Sequence, residues 1–338
     1  MTSVGGWHPP SVAWRITSIA LVVGLAAVYS VASISDLVTN RILGTQLNQV
    51  TEVFPADETR PPETVGSAAS AQNLLLLGSD SWNAVNGTLE NVSGQRSDTI
   101  MVLHIPADRK NIYVMSILRD SWIILPGREP EKVNAALSFG GVPLAVQSVE
   151  SLIGTRIDHV ALVDYAGFAG LADAVGGIDI DNPTAFSSTA TGHYYPAGAQ
   201  HLDGTETLAF AREWAALPDG DFERVRNQQL VMKAVLGKAM TRETLVDPVR
   251  IAALLGAVKE YVAVDDGLDL PYLTGLAREL RGIRAHDFTF FTAPTTGIGT
   301  SADGQSIVNL DWDKLAEVQR AFQTDTLDGY QPVFQTMQ

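Results

Sequence analysis

Cysteine is absent from the 338 residues, which removes thiol catalysis, disulfide bridges and Cys-ligated zinc together. The six histidines (His8, His104, His159, His193, His201 and His286) show no H-E-x-x-H or comparable ligand spacing. Positive charge is scarce: 23 Lys and Arg stand against 38 Asp and Glu, a net charge of −15. A nucleic-acid backbone demands a basic surface, so nucleic acid is excluded as a partner. A small phosphorylated ligand held by a local basic cluster is not. G-x-G-x-x-G, the Walker P-loop and G-x-S-x-G are also missing, which leaves nucleotide-fold and serine-hydrolase readings without their usual support. No internal repeat divides the chain.

What is present is a core: 46% of the residues are hydrophobic, ample for one large domain. The longest uncharged apolar run is Ile16 to Ile34. As a helix it spans roughly 29 Å, close to the hydrocarbon thickness of a bilayer. Arg15 before it and Asp36 after it favour a cytoplasmic N-terminus with the remainder outside. A cleaved signal peptide is the competing reading, but its apolar region would be shorter. The organisation expected is a cytoplasmic head (1–15), a single-pass transmembrane anchor (16–34), and a tether rich in Pro, Thr, Ser and Ala (35–72). An extracytoplasmic domain (73–324) and a C-terminal tail (325–338) follow.

Within that domain the informative stretch runs from Asn73 to Pro126. Asn73 to Leu77, Thr99 to Ile105 and Asn111 to Ile117 are short Ile-, Val- and Leu-rich runs bounded by Gly, Ser, Asp or Pro. Each reads as a strand buried on both faces. The turn signal Pro106 to Asn111 joins the second and third as a hairpin. An up-down-up meander then brings Asp80, Arg96, Asp98 and Arg119 to one sheet edge. Two carboxylates among guanidinium groups suggest a divalent cation, Mg²⁺ or Mn²⁺, beside a phosphorylated ligand. The plainer alternatives are turn-capping aspartates and solvated surface arginines.

Further along, helices are expected over Val142 to Ile153, Tyr165 to Val175, Thr205 to Trp214, Asp221 to Met240, Val246 to Val262 and Leu270 to Arg281. Strands are expected at His159 to Val163, Ile178 to Ile180, Asp287 to Thr292 and Ser306 to Leu310, with Asp311 capping a last helix. Thr184 to Gly198 reads as a surface loop. Strands mixed with helices predict an α/β fold, a single layered α/β/α domain around a mixed central β-sheet. Asp221, Arg224 and Gln228 share one helix face, with Asp221 also a candidate N-cap. Arg212 suits a helix C-terminus, and Lys132 alone reads as a solvated lysine.

The ordered series LLLLGSD, RSDTIMVLHI, SILRDSWIILPG, EKVNAALSFGG, IDHVALVDYAGF, DAVGGIDI, AGAQHLDGTETLAFARE and GDFERVRNQQ resembles the LytR-CpsA-Psr family. The resemblance covers about Asn73 to Met240; beyond Thr241 it is similar to actinobacterial members in general pattern only. It implies a cell-wall ligase that moves a glycopolymer from a polyprenyl-pyrophosphate carrier to peptidoglycan. The bond formed would be a phosphodiester, made with Mg²⁺ outside the bacterial cytoplasmic membrane. Carried over, Asp80 and Asp98 would hold the metal. Arg96, Arg119, Lys132, Arg212, Arg224 and Gln228 would contact the pyrophosphate, with Arg119, Asp98 and Arg212 closest to catalysis. The base would be Asp98 or Asp120. Helices from Val142 and Leu208 would offer a groove for the lipid. The chain has Leu118 where the family usually has proline, and Trp214 where it often has a second arginine. Trp214 is the feature that favours a non-catalytic polyprenyl-phosphate sensor or scaffold; a polyprenyl-pyrophosphate pyrophosphatase is the other alternative.

Overall fold

A computed structural model describes residues 48–79, 95–164, 166–241, 254, 256 and 261–330. The expected head, the expected anchor at 16–34 and Asp80 lie outside the described residues, as do residues 331–338 of the tail.

Asn73 to Leu77 begins the central strand because its leucines have no polar face to turn to water. The strand, Gln72–Ser79, sits mid-sheet, and Leu74 to Leu77 are each 4% exposed or less. Alternate residues enter opposite cores: Leu74 and Leu76 one, Leu75 and Leu77 the other. Each buried leucine contributes about 1.5–3 kcal/mol, and the buried polar residue before them, Asn73, is held by Arg156 O and His104 Nδ1.

Around it the described residues form a seven-stranded mixed sheet. Its strands are β1 (Asn48–Val50), β2 (Gln72–Ser79), β3 (Thr99–Ile105), β4 (Ile112–Ile117), β5 (His159–Asp164), β6 (Val262–Asp265) and β7 (Phe288–Thr292). The spatial order is β1-β6-β5-β2-β3-β4-β7. β2, β3 and β4 form the expected antiparallel meander, with Leu76 opposite Met101 and Met101 opposite Ser116. β5 runs parallel to β2, and β7 parallel to β4.

The helices are α1 (Ala135–Ile153), α2 (Ala166–Ala174), α3 (Gly204–Arg212), α4 (Asp221–Ala239), α5 (Leu270–Glu279) and α6 (Trp312–Thr324). Leu171 of α2, Phe210 of α3, Val231 and Val235 of α4, and Leu273 of α5 pack on one sheet face. Val146 and Val149 of α1, with Leu315 and Val318 of α6, pack on the other. The layered α/β/α arrangement is therefore real. α1 breaks at Gly140 and Gly141, the latter at φ 64°, so its second part starts at Val142 as expected. Among the described residues α1 is the one helix long and apolar enough to cross a membrane, yet it is a core helix, with more than half of it buried.

Four expectations change. Residues 48–72, read as tether, supply β1 and lie on the domain: Val53 and Ala68 are buried, and Arg60 pairs with buried Glu150. The Thr184 to Gly198 loop contains paired strands, Phe186–Ser187 with Tyr194–Tyr195, and Gly198–Leu202 pairs with Ile178–Asn182. Most of the helix expected at Val246 to Val262 lies outside the described residues, but its last residue, Val262, opens strand β6. Val142 and Leu208 pack on opposite sheet faces and so do not wall one groove together.

Candidate functional site

The meander delivers its charged ends to one edge. Asp98 N donates to Gly78 O at 2.8 Å, which sets the start of β3 beside the end of β2, two residues before Asp80. Arg119 follows β4 immediately after Leu118, which is fully buried. The turn after it is held on two sides. Asn134 N donates to Arg119 O (3.2 Å) and Val133 N to Ser121 O (2.9 Å), while Val308 N donates to Asp120 O (2.9 Å). A short hairpin, Trp122–Ile124 with Pro130–Lys132, carries Lys132 back to the same edge.

Across this edge lies the start of α4. Gly220 is its N-cap, at φ 53°, so Asp221 is not the cap the sequence suggested. Its carboxylate turns instead to the arginines: Oδ1 lies 3.3 Å from Arg119 Nε and 2.5 Å from Arg224 Nη2. Arg119 Nη1 donates to Asp98 Oδ1, and Arg224 Nη1 lies 3.8 Å from the same oxygen. Lys132 Nζ is 3.0 Å from Asp120 Oδ1, and Arg119 Nε is 3.8 Å from Asp120 Oδ2. Lys132 is thus half-buried and paired, not a solvated lysine.

Gln228, one turn beyond Arg224, accepts from Thr99 Oγ1 at 3.1 Å and is 1% exposed. Arg96 is exposed on the approach to β3 and makes no ion pair among the described residues. Arg212 is exposed at the last turn of α3. The fold therefore gathers Asp98, Arg119, Lys132 and Arg224 into one network, sets Gln228 behind it, and holds Arg96 and Arg212 at exposed positions. Asp221 is the member that sequence reading placed in another role. Its signal was the i,i+3 spacing to Arg224.

Charge in this network is balanced but strained. Burial works against the Arg119 charge, but Asp221, the Asp98 hydrogen bond and Asp120 outweigh it and hold its pKa above the ordinary arginine value. Burial raises the Asp221 pKa; Arg224 and Arg119 oppose that, and repulsion from Asp120 and Asp98 adds to it. Arg119 Nε, Arg224 Nε and both Asp221 carboxylate oxygens are buried without a partner in hydrogen-bond geometry, as are Ser121 Oγ and Asn134 Oδ1 nearby. Polar atoms left so cost stability, and their concentration here marks a place shaped for something other than stability.

A divalent cation fits this donor set in one form. Among the described residues no three acidic or histidine side chains converge as a metal cage. Mg²⁺ commonly takes one or two carboxylates and completes its shell with water and phosphate oxygens. Asp98, partly exposed and adjacent to the end of β2, suits that habit.

The LytR_cpsA_psr family model matches residues 43–324. The chain is 30% identical over 289 residues to the cell wall biosynthesis protein LcpA of Corynebacterium glutamicum, a match covering 74% of this chain and 55% of that protein. It is 35% identical over 180 residues to the polyisoprenyl-teichoic acid–peptidoglycan teichoic acid transferase TagU of Bacillus mycoides, covering 53% and 56% respectively. The crystal structure of B. subtilis TagV matches the fold with a TM-score of 0.62 at 25% identity, over 79% of this chain and 100% of that one. The chain spans a little over half the length of these curated relatives.

Proposed function

The chain belongs to the LytR_cpsA_psr family, and from that premise we propose that it transfers a glycopolymer from a polyprenyl-pyrophosphate carrier to a hydroxyl of peptidoglycan. The acceptor oxygen attacks the phosphorus that bears the glycan. The bridging P–O bond breaks, its electron pair leaving on polyprenyl phosphate, and the hydroxyl proton passes to a site carboxylate. The product is a phosphodiester. An anchor at residues 16–34, with its N-terminus inside, keeps the domain outside the membrane and within reach of a carrier confined to it.

The observation that carries this reading is the Arg119 guanidinium. It is fixed by Asp98 and Asp221, kept charged, and still 23% exposed at the edge. A pre-oriented guanidinium stabilises charge that grows on a leaving phosphate without reorganising. Lys132, at 14% exposure, adds a second cation from the hairpin. Arg224, at 4%, has little surface left for a ligand and acts by holding Asp98 and Asp221 in place. Arg96 and Arg212 supply outer cations to a ligand that extends past the edge. A Mg²⁺ ion held by Asp98 and Asp80 would neutralise pyrophosphate oxygens.

Binding of farnesyl pyrophosphate to the full chain in the presence of Mg²⁺ tests the clamp. Arg119→Ala should weaken it by about 10²-fold, and Arg119→Lys by less, because a point charge replaces a two-pronged donor. Unchanged affinity in Arg119→Ala would contradict the assignment.

A further inference from the structure

Trp214 is 51% exposed, while the turn beneath it is firmly held. Glu213, only 3% exposed, directs its carboxylate inward. It accepts from Trp214 N at 3.2 Å, Ala216 N at 3.0 Å, Thr189 N at 2.7 Å and the Thr189 hydroxyl at 3.1 Å. Leu217 N donates to Trp214 O at 3.2 Å. That carbonyl lies 4.0 Å from where a Cβ on Gly220 would stand, and Gly220 directly precedes Asp221. The turn thus places Trp214 beside the helix start that carries Asp221 and Arg224, with exposed Arg212 two residues upstream.

We propose that Trp214 is a sugar-stacking platform at the rim of the site, taking the apolar C–H face of a neutral pyranose ring from one of the two glycans. The proposal rests on the glycopolymer-transfer reading above. An indole offers a broad, rigid, partly apolar face with few rotamers to lose, and a fixed backbone lowers the ordering cost further. A bilayer surface is the competing occupant, and the surroundings disfavour it. Within its own turn, residues 212–220, Trp214 is the single exposed large hydrophobic. Interfacial anchoring needs a broad apolar helix face, whereas the turn offers one indole between half-buried or buried polar residues such as Glu213 and Asp219. One ring suffices for a sugar.

The test measures equilibrium binding of three probes, chitotetraose, farnesyl pyrophosphate with Mg²⁺, and phosphatidylglycerol vesicles, to the full chain and to Trp214→Phe and Trp214→Ala. Trp214→Ala should weaken chitotetraose binding by about tenfold or more and Trp214→Phe by about threefold or less, with farnesyl pyrophosphate affinity unchanged in both. The proposal is overturned if the wild-type chain does not bind the tetrasaccharide, or if Trp214→Ala binds it equally well. It is also overturned if chitotetraose and farnesyl pyrophosphate binding are lost together, or if the variant loses vesicle association in place of sugar binding. Failure of the pyrophosphate clamp would show separately, in the Arg119 variants.

Discussion

Arg119 and Glu213 show two ways a buried charge is held. Arg119 lies among Asp98, Asp120 and Asp221, and those contacts leave polar atoms without hydrogen-bond partners on both sides. Glu213 is served by amides and hydroxyls. Burial pushes the Glu213 pKa up, but hydrogen bonds from the Ala216 and Thr189 amides and the Thr189 and Ser188 hydroxyls outweigh it, leaving the pKa below the ordinary glutamate value. Folding therefore favours the ionised form. Its contribution is complete above the ordinary glutamate pKa and is lost as pH falls through the lowered one. Glu213→Gln keeps the shape without the charge. Denaturant unfolding at about pH 7 should find it less stable by about 1–3 kcal/mol, with the gap to wild type closing in acid. An equal gap at both pH values would contradict this account of Glu213.

At the scale of elements, α4 depends on its first residue being preceded by glycine. Gly220 sits at φ 53° and ψ −116°, where a side chain is strained. Gly220→Ala should lower stability by at least about 1–2 kcal/mol and loosen the helix start that carries Asp221. Thermal unfolding checks it: an unchanged midpoint would mean that the backbone there relaxes freely. This cap also marks a limit of sequence reading. Asp at the start of a helix is a good cap by residue type, but only the fold reveals that two guanidinium groups draw the carboxylate away. The meander was legible because each strand is a short Ile-, Val- and Leu-rich run between turn residues. The Phe186–Tyr195 region was not, because its buried side consists of two aromatics separated by polar residues. β6 was hidden for a different reason: Val262–Asp265 follows directly on a stretch with helical spacing.

For the molecule as a whole, the edge chemistry is assembled from segments far apart in sequence. Asp98 opens β3, Arg119 leaves β4, Lys132 returns on a hairpin, and α4 arrives from about a hundred residues later. Convergence of Asp98 with Arg119 followed from the meander alone. The Lys132–Asp120 and Arg119–Asp221 contacts did not, because hairpin register and helix placement are set by tertiary packing. The same holds for residues 48–72, whose composition reads as linker although Arg60 and Arg156 clamp them to the domain through Glu150 and Asp57. The central claim is that this edge transfers a phosphorylated glycan. The most direct test is mass spectrometry of products from the full chain incubated with a short polyprenyl-pyrophosphate glycan, Mg²⁺ and peptidoglycan fragments, beside Arg119→Ala. The account predicts a glycan joined to peptidoglycan through phosphate, with released polyprenyl phosphate, and a yield about 10²-fold lower in the variant. Free phosphoglycan without a joined product, or equal yields from the two proteins, would contradict it.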